Sequence, residues 1–259
     1  MTMIVRNLQL VRDRITTACV AAGRNPASVR LLAVSKTFGA DAVIDAMSDG
    51  QRAFGENYIQ EGVDKILAVR AVHGWEADGL RLSSSRHSSG LRSPPLAGPL
   101  SSPAEWHCIG PIQSNKTRLV AENFDWVQSV DRLKIAQRLS EQRPPHLPPL
   151  QVCLQVNIDG GSTKSGVAPP EALALAAEVA RLPRLQLRGL MSIPEPAPDF
   201  IAACAVHQRA AELFDEINRA GLLPQPMDTL SMGMTADLEA AIHAGSTMVR
   251  VGTAIFGAR

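Results

Sequence analysis

The chain has almost no excess of charge of either sign. Its 26 basic and 25 acidic residues leave a net charge of +1 over 259 residues, so the electrostatics give no reason to expect nucleic acid or an anionic membrane as a partner. Cysteine is scarce as well. Cys19, Cys108, Cys153 and Cys204 stand far apart with no CxxC pair, which argues against a zinc site and against a dense disulfide framework. They read as small core residues of a reduced protein. No apolar run reaches the roughly 18 residues of a membrane span, and the opening stretch MTMIVRNLQLVRDR lacks a signal-peptide core. A cytoplasmic location is expected. No GxGxxG follows the first apolar strand, which weakens the case for a dinucleotide-binding doubly wound sheet. Tyrosine occurs once, at Tyr58, and this scarcity bears on the chemistry below.

What the chain does have is alternation. Leu8, Val11, Ile15, Cys19 and Ala22 recur at helical spacing, and Gly23 with Asn25-Pro26 ends that first helix. Strand-like apolar runs then appear at about 30–34, 52–55, 105–110, 126–129, 150–157, 185–191, 229–231 and 248–251, separated by amphipathic stretches. Eight strand-then-helix units behind one extra helix predict an α/β fold, a single (β/α)8 TIM barrel spanning residues 1–259. The doubly wound sheet is the alternative.

One segment breaks the pattern. Between Ser83 and Pro103, serine, proline and glycine make up 14 of 21 residues, with no apolar periodicity to offset the entropy of ordering. Residues 70–104 therefore read as a disordered, low-complexity insertion, with a domain linker as the alternative. The insertion lies between a helix and the next strand. That places it on the face opposite the loops that build barrel active sites.

The chemistry-bearing residues stand just past the strands. RLLAVSKTFGA places Lys36 where an apolar strand gives way to Thr37 and Gly39. A free lysine, with a pKa of about 10, is protonated at neutral pH, but a desolvated one at a strand end becomes a Schiff-base nucleophile. The alternative is a solvated lysine. The other strand ends contribute Asn57, His107, Gln113, Asn115, Asn157, Met191, Ser192, Ser231, Gly233, Arg250, Gly252 and Thr253. This rim has neither the paired carboxylates of glycoside chemistry nor a metal-ligand cluster.

In the last strand, Gly252 and Thr253 stand where a short helix can start, and Ser231 can add a hydroxyl, as in the phosphate sites of many barrels. The alternative is that glycine and threonine only close the barrel. A phosphate cradle facing a Schiff-base lysine suggests pyridoxal 5′-phosphate (PLP). Arg250 donating to the pyridine nitrogen would keep that nitrogen unprotonated and weaken the cofactor as an electron sink. That fits binding or racemisation better than transamination. A phosphate or surface contact is the alternative for Arg250.

Seven stretches carry a resemblance: AVSK with Lys36, FGENYIQE around Asn57, WHCIGPIQSNK from Trp106, KSGV from Lys164, GLMSIP from Gly189, LSMGMTADLEAAI from Leu230 and STMVRVGTAIFGAR at the end. Together they resemble the pyridoxal phosphate homeostasis protein family. The resemblance implies a fold-type III barrel, of the kind that forms the N-terminal domain of alanine racemase, with PLP held as a Schiff base on Lys36. It further implies Ser231, Gly252 and Thr253 at the phosphate and Arg250 near the pyridine nitrogen. Asn57, His107, Met191 and Gly233 complete the implied cofactor-binding set. The departures are Cys108 in CIGP, for phenylalanine, and Thr235 in SMGMT, for serine. Thr235 keeps a hydroxyl suited to cap the next helix.

Members of this family lack an established enzymatic activity and are implicated in keeping PLP and amino-acid or keto-acid pools in balance. PLP is thus the expected ligand, with PLP-requiring apo-enzymes and amino acids as candidate partners. No catalytic or metal-binding residue is assigned. Without an exposed apolar stripe the expected state is a monomer. The alternative is a PLP-dependent amino-acid racemase, which needs a base on each face of the substrate carbon, Lys36 and commonly a tyrosine. Tyr58 only begins the helix after the second strand, and no further domain is expected after Arg259 to cover the mouth. These points favour a carrier. His107 or Cys108 could in principle replace the missing base, and a Schiff-base aldolase is a weaker option.

Overall fold

Short runs in which apolar residues face both ways form strands that are buried on both faces, and such strands belong to a parallel sheet wrapped by helices. The computed structural model describes residues 1–73, 103–161 and 164–258. Its strands are β1 (Arg30–Val34), β2 (Ala53–Glu56), β3 (Glu105–Cys108), β4 (Trp126–Val130), β5 (Leu150–Gln155), β6 (Leu185–Met191), β7 (Thr229–Ser231) and β8 (Met248–Val251). They pair in parallel in sequence order, and β8 returns to β1 through Arg30–Met248 to Ala33–Val251. The result is the closed (β/α)8 barrel that the alternation predicts.

The helices are α1 (Met3–Ala21), α2 (Ala40–Ser48), α3 (Ile59–His73), α4 (Thr117–Asn123), α5 (Leu133–Gln142), α6 (Pro169–Val179), α7 (Phe200–Arg219), α8 (Leu238–His243) and α9 (Thr253–Phe256). The extra helix α1 packs on α8 and α9 beside the closing seam. Asn7 Nδ2 donates to the Ile255 carbonyl at 2.9 Å, Arg24 Nη1 to the Ile242 carbonyl at 2.7 Å, and Arg14 pairs with Glu239.

Two helix starts have their own geometry. The helix after β3 begins as a 3-10 turn, Ser114–Lys116, before α4. Thr235 does not cap α8: the helix starts at Leu238, and Asp237 Oδ1 accepts the Met234 N–H at 2.7 Å, closing the preceding turn with a carboxylate. Of the expected insertion, residues 70–73 continue α3, and the stretch 74–102 lies outside the described residues.

Period-two alternation divides the core into a shell and an interior. Ala33, Phe54, Trp106, Val127, Leu154 and Val249 face the helices. Inside the barrel, Leu32, Ala53 and Met248 pack with Ile109, while Trp126, Cys153 and Met191 pack with Ile193. Between these two apolar groups run the buried polar side chains His107, Gln128, Ser231 and Arg250. The barrel therefore has a polar seam within an apolar filling.

Strands β6 and β7 approach closely at Gly189, where an added Cβ would lie 1.6 Å from the Thr229 carbonyl oxygen. Gly189→Ala must push the strands apart against both packing and ladder hydrogen bonds. The expected result is a loss of about 3 kcal/mol or more, read by urea denaturation.

Candidate functional site

Strand β1 ends at Val34, and the next residues are pinned from outside the barrel. Ser35 Oγ donates to Glu56 Oε1 at 2.6 Å, and the Ser35 carbonyl accepts from Lys65 Nζ at 2.7 Å. Lys65 also pairs with Glu56 at 2.6 Å and with Glu61 at 3.2 Å. Glu61 in turn accepts the Thr37 N–H. Both neighbours of Lys36 are thus held by one ionic cluster between the barrel and α3. Thr37 has φ +66°, a left-handed conformation that a β-branched residue rarely adopts. The Glu61 contact lies at that strained peptide and helps hold it. Burial pushes the Glu56 carboxyl above its ordinary range, opposed by Lys65 and Ser35.

Lys36 leaves this turn into a cavity of about 670 Å³ at the carboxyl ends of the strands, the face on which barrels build their sites. Asn57, Ile109, Ile193, Met234, Arg250, Gly252 and Thr253 are among its walls. Phe38 packs on Phe256, ring centroids 5.3 Å apart, which ties the loop after Lys36 to α9. The Lys36 amine makes no hydrogen bond or ion pair among the described residues.

The cavity gathers five of the nine predicted cofactor residues: Lys36, Asn57, Arg250, Gly252 and Thr253. Arg250 is 3% exposed, and burial lowers its pKa to about 10, which leaves it charged at neutral pH. Its Nη1 donates to Ser231 Oγ and its Nη2 to the Ser192 carbonyl, each at 2.8 Å.

The other four predicted residues are not among the cavity walls. Ser231 is fully buried and reaches the cavity only through Arg250. Met191 packs with Trp126 and Cys153 inside the barrel. His107 is fully buried, stacked on Trp126 at 5.1 Å, and bonded through Nε2 to Glu105 Oε1 at 2.6 Å. Gly233 has φ +91°, and its carbonyl accepts the Arg250 N–H at 3.0 Å, so it shapes the strand that presents the arginine. Sequence reasoning missed Gln128, Glu56, Glu61 and Lys65. The signals were a lone glutamine in the short strand WVQSV, all of which is buried, and an i,i+4 Glu61–Lys65 pair.

The residues present fit PLP. Asn57 Oδ1, in a wall residue, and Ser192 Oγ, beside Ile193, are buried without partners among the described residues. The first intrahelical bonds of α9 come from Ile255 and Phe256 to Gly252, so the Thr253 and Ala254 N–H groups precede them. An amine, a cationic donor and hydroxyl and amide donors therefore converge on one concave space.

Comparison with known proteins agrees in two steps. Residues 7–259 match the family model described as alanine racemase, N-terminal domain, which defines the class as a barrel of the alanine racemase type. At 18% identity an alanine racemase from Corynebacterium glutamicum shares the fold with a TM-score of 0.60, this chain covering 61% of that one and 99% of itself being matched. The pyridoxal phosphate homeostasis protein of Vibrio cholerae is 51% identical over 259 residues, 100% of this chain and 98% of the relative. PipY of Synechococcus elongatus, solved with PLP bound, is 30% identical with a TM-score of 0.75, covering 98% of this chain and 100% of its own. The chain belongs to the family of pyridoxal phosphate homeostasis proteins.

Lys65→Met removes the one cation that the Glu56 cluster has among the described residues and strands a buried carboxylate. Urea denaturation should show a loss of about 3 kcal/mol or more. Acid should also weaken the fold. Burial holds the His107 pKa below its ordinary range although Glu105 opposes this. The unfolded chain therefore takes up a proton near pH 6.5 that the folded chain refuses, and stability falls below that pH. Glu105 acts in the same direction: its bonds to His107 and Arg30 outweigh burial and bring it to about 2 from 4.5. Its contribution is full above about 4.5 and lost toward pH 2. Melting temperature should decline from pH 7 to pH 5, with a shallower slope in His107→Gln.

Proposed function

We propose that this chain holds PLP reversibly as a Schiff base on Lys36 and serves PLP homeostasis as a carrier without catalysis of its own. The observation that carries this reading is the Lys36 amine, without a partner on the wall of a cavity whose other charged wall residue is Arg250. Bound there, PLP supplies an aldehyde, and the amine adds to it with loss of water.

The chain's own residues divide the work. Glu56, Lys65 and Glu61 hold the backbone on either side of Lys36, so the amine enters the cavity from a fixed turn. Gly252 and Thr253 receive the phosphate, and Arg250 donates toward the pyridine nitrogen. Asn57 lines the cofactor. No Asp, Glu, His, Cys or Tyr is among the described wall residues, so nothing there supplies a second acid or base opposite Lys36. Tyr58 is 55% exposed, and burial pushes the Cys108 thiol up to about 12. These features support a holder over a racemase.

The same reading treats residues 1–259 as one PLP-binding unit interrupted at about 70–104, working as a monomer in the cytoplasm. Four free cysteines, three of them buried, suit a reducing compartment, and no helix among the described residues is long and apolar enough to cross a membrane. Apo-enzymes that require PLP, and amino acids that compete for its aldehyde, are the proposed partners.

Absorption spectra before and after borohydride reduction, with the labelled peptide identified by mass spectrometry, test the site. The parent protein should show a visible band that reduction fixes onto Lys36. Lys36→Ala should lose the band while its unfolding free energy stays within about 0.5 kcal/mol of the parent. A full band in Lys36→Ala would overturn the assignment.

A further inference from the structure

The polar side chains inside the barrel are joined end to end. Arg250 Nη1 reaches Ser231 Oγ at 2.8 Å, and Ser231 Oγ reaches Gln128 Oε1 at 2.7 Å. Gln128 Nε2 meets His107 Nδ1 at 2.9 Å, and His107 Nε2 meets Glu105 Oε1 at 2.6 Å. Arg30 closes the far end on Glu105 at 2.8 Å. The path runs from the cavity wall on β8, through β7 and β4, to the first residue of β3 at the opposite end of the barrel. Arg250, Ser231, Gln128 and His107 are all buried.

The direction of every bond follows from the two ends. A carboxylate only accepts, so His107 must carry its proton on Nε2. Neutral His107 then offers Nδ1 as an acceptor, and the Gln128 amide turns its NH2 that way. Gln128 Nε2 also lies 3.1 Å from the Met248 sulfur, a weak acceptor for its second N–H in keeping with that orientation. Gln128 Oε1 is left to face Ser231, which donates its only hydroxyl proton to it. Ser231 Oγ therefore accepts from Arg250, and a guanidinium can do nothing but donate.

We infer that Gln128, His107 and Glu105 are positioning residues of the cofactor site, a chain of donors all pointing away from the cavity that aims Arg250 at the PLP ring. The inference rests on the proposed binding of PLP by Lys36 and Arg250. It assigns the Ser231 hydroxyl to Arg250, leaving the phosphate to Thr253 and the backbone N–H groups around it. It also gives a purpose to a polar seam that an apolar filling could have replaced.

Two readouts test this, one of which needs no cofactor. In ¹⁵N-labelled apo-protein at pH 7, the His107 ring should be the neutral Nε2–H tautomer, and an Nδ1–H or doubly protonated ring would overturn the chain's direction. In PLP-loaded protein, Gln128→Met keeps the volume and removes both bonds. The band of bound PLP should move, and the PLP dissociation constant should rise about tenfold, the order of one lost buried hydrogen bond. Borohydride should still fix the cofactor on Lys36. Glu105→Gln, which keeps shape but not charge, should shift the band in the same direction and covers the case in which Gln128→Met does not fold. An unmoved band and unchanged affinity in the folded variants would reduce the seam to packing and sink the inference. A parent protein that takes up no PLP would instead sink the proposed function, whatever the tautomer.

Discussion

A guanidinium buried at the mouth of a closed parallel barrel sets the terms for its surroundings. Arg250 is out of water yet charged, and among the described residues no carboxylate pairs with it, Asp237 acting only at longer range. Desolvating a cation without a partner is expensive. The barrel meets that demand with neutral acceptors, the Ser192 carbonyl and the Ser231 hydroxyl, and each of those must be satisfied in turn. The hydroxyl donates a hydrogen bond to Gln128 Oε1, the glutamine needs an acceptor in His107, and the histidine ends on Glu105. A charge placed at the top of the barrel thereby fixes side chains at the bottom.

A second ionic group outside the barrel governs the lysine. Buried pairs such as Glu56–Lys65 stabilise little in themselves, because desolvation cancels most of the attraction. What they provide is geometry: Ser35 and Thr37 are both bonded to the cluster, so the strained turn at Thr37 has one arrangement and Lys36 one direction of entry. The two networks share no hydrogen bond among the described residues. One aims the amine and the other aims the cation.

No Asp, Glu, His, Cys or Tyr stands among the described wall residues of the cavity. The described walls offer an amine, a guanidinium and several neutral donors, groups that can grip an aldehyde and a phosphate. Cys108 and Cys153 are held as thiols by burial, with pKa values of about 12. Met234, on the cavity wall, is exposed and leaves the rim partly apolar.

The barrel was legible in the chain because parallel strands buried on both faces read as short apolar runs, and the helices between them keep their own period. All eight strands stand within two residues of their predicted bounds at both ends, and β3 and β5 each end two residues earlier than expected. Lys36, Arg250, Gly252 and Thr253 could be picked out because they stand at or just past the carboxyl ends of barrel strands, the face on which barrels build their sites. The sequence by itself determined which residues stand at strand ends and that the helices alternate with them. It did not determine how deep each side chain lies, since one step along a strand exchanges interior for shell and one turn of stagger exchanges wall for floor. Only the closed tertiary structure put His107, Met191 and Ser231 beneath the cavity rather than around it. Only it joined Gln128 to His107 and Lys65 to Glu56, because hydrogen bonds between residues far apart in the chain have no local signal to betray them.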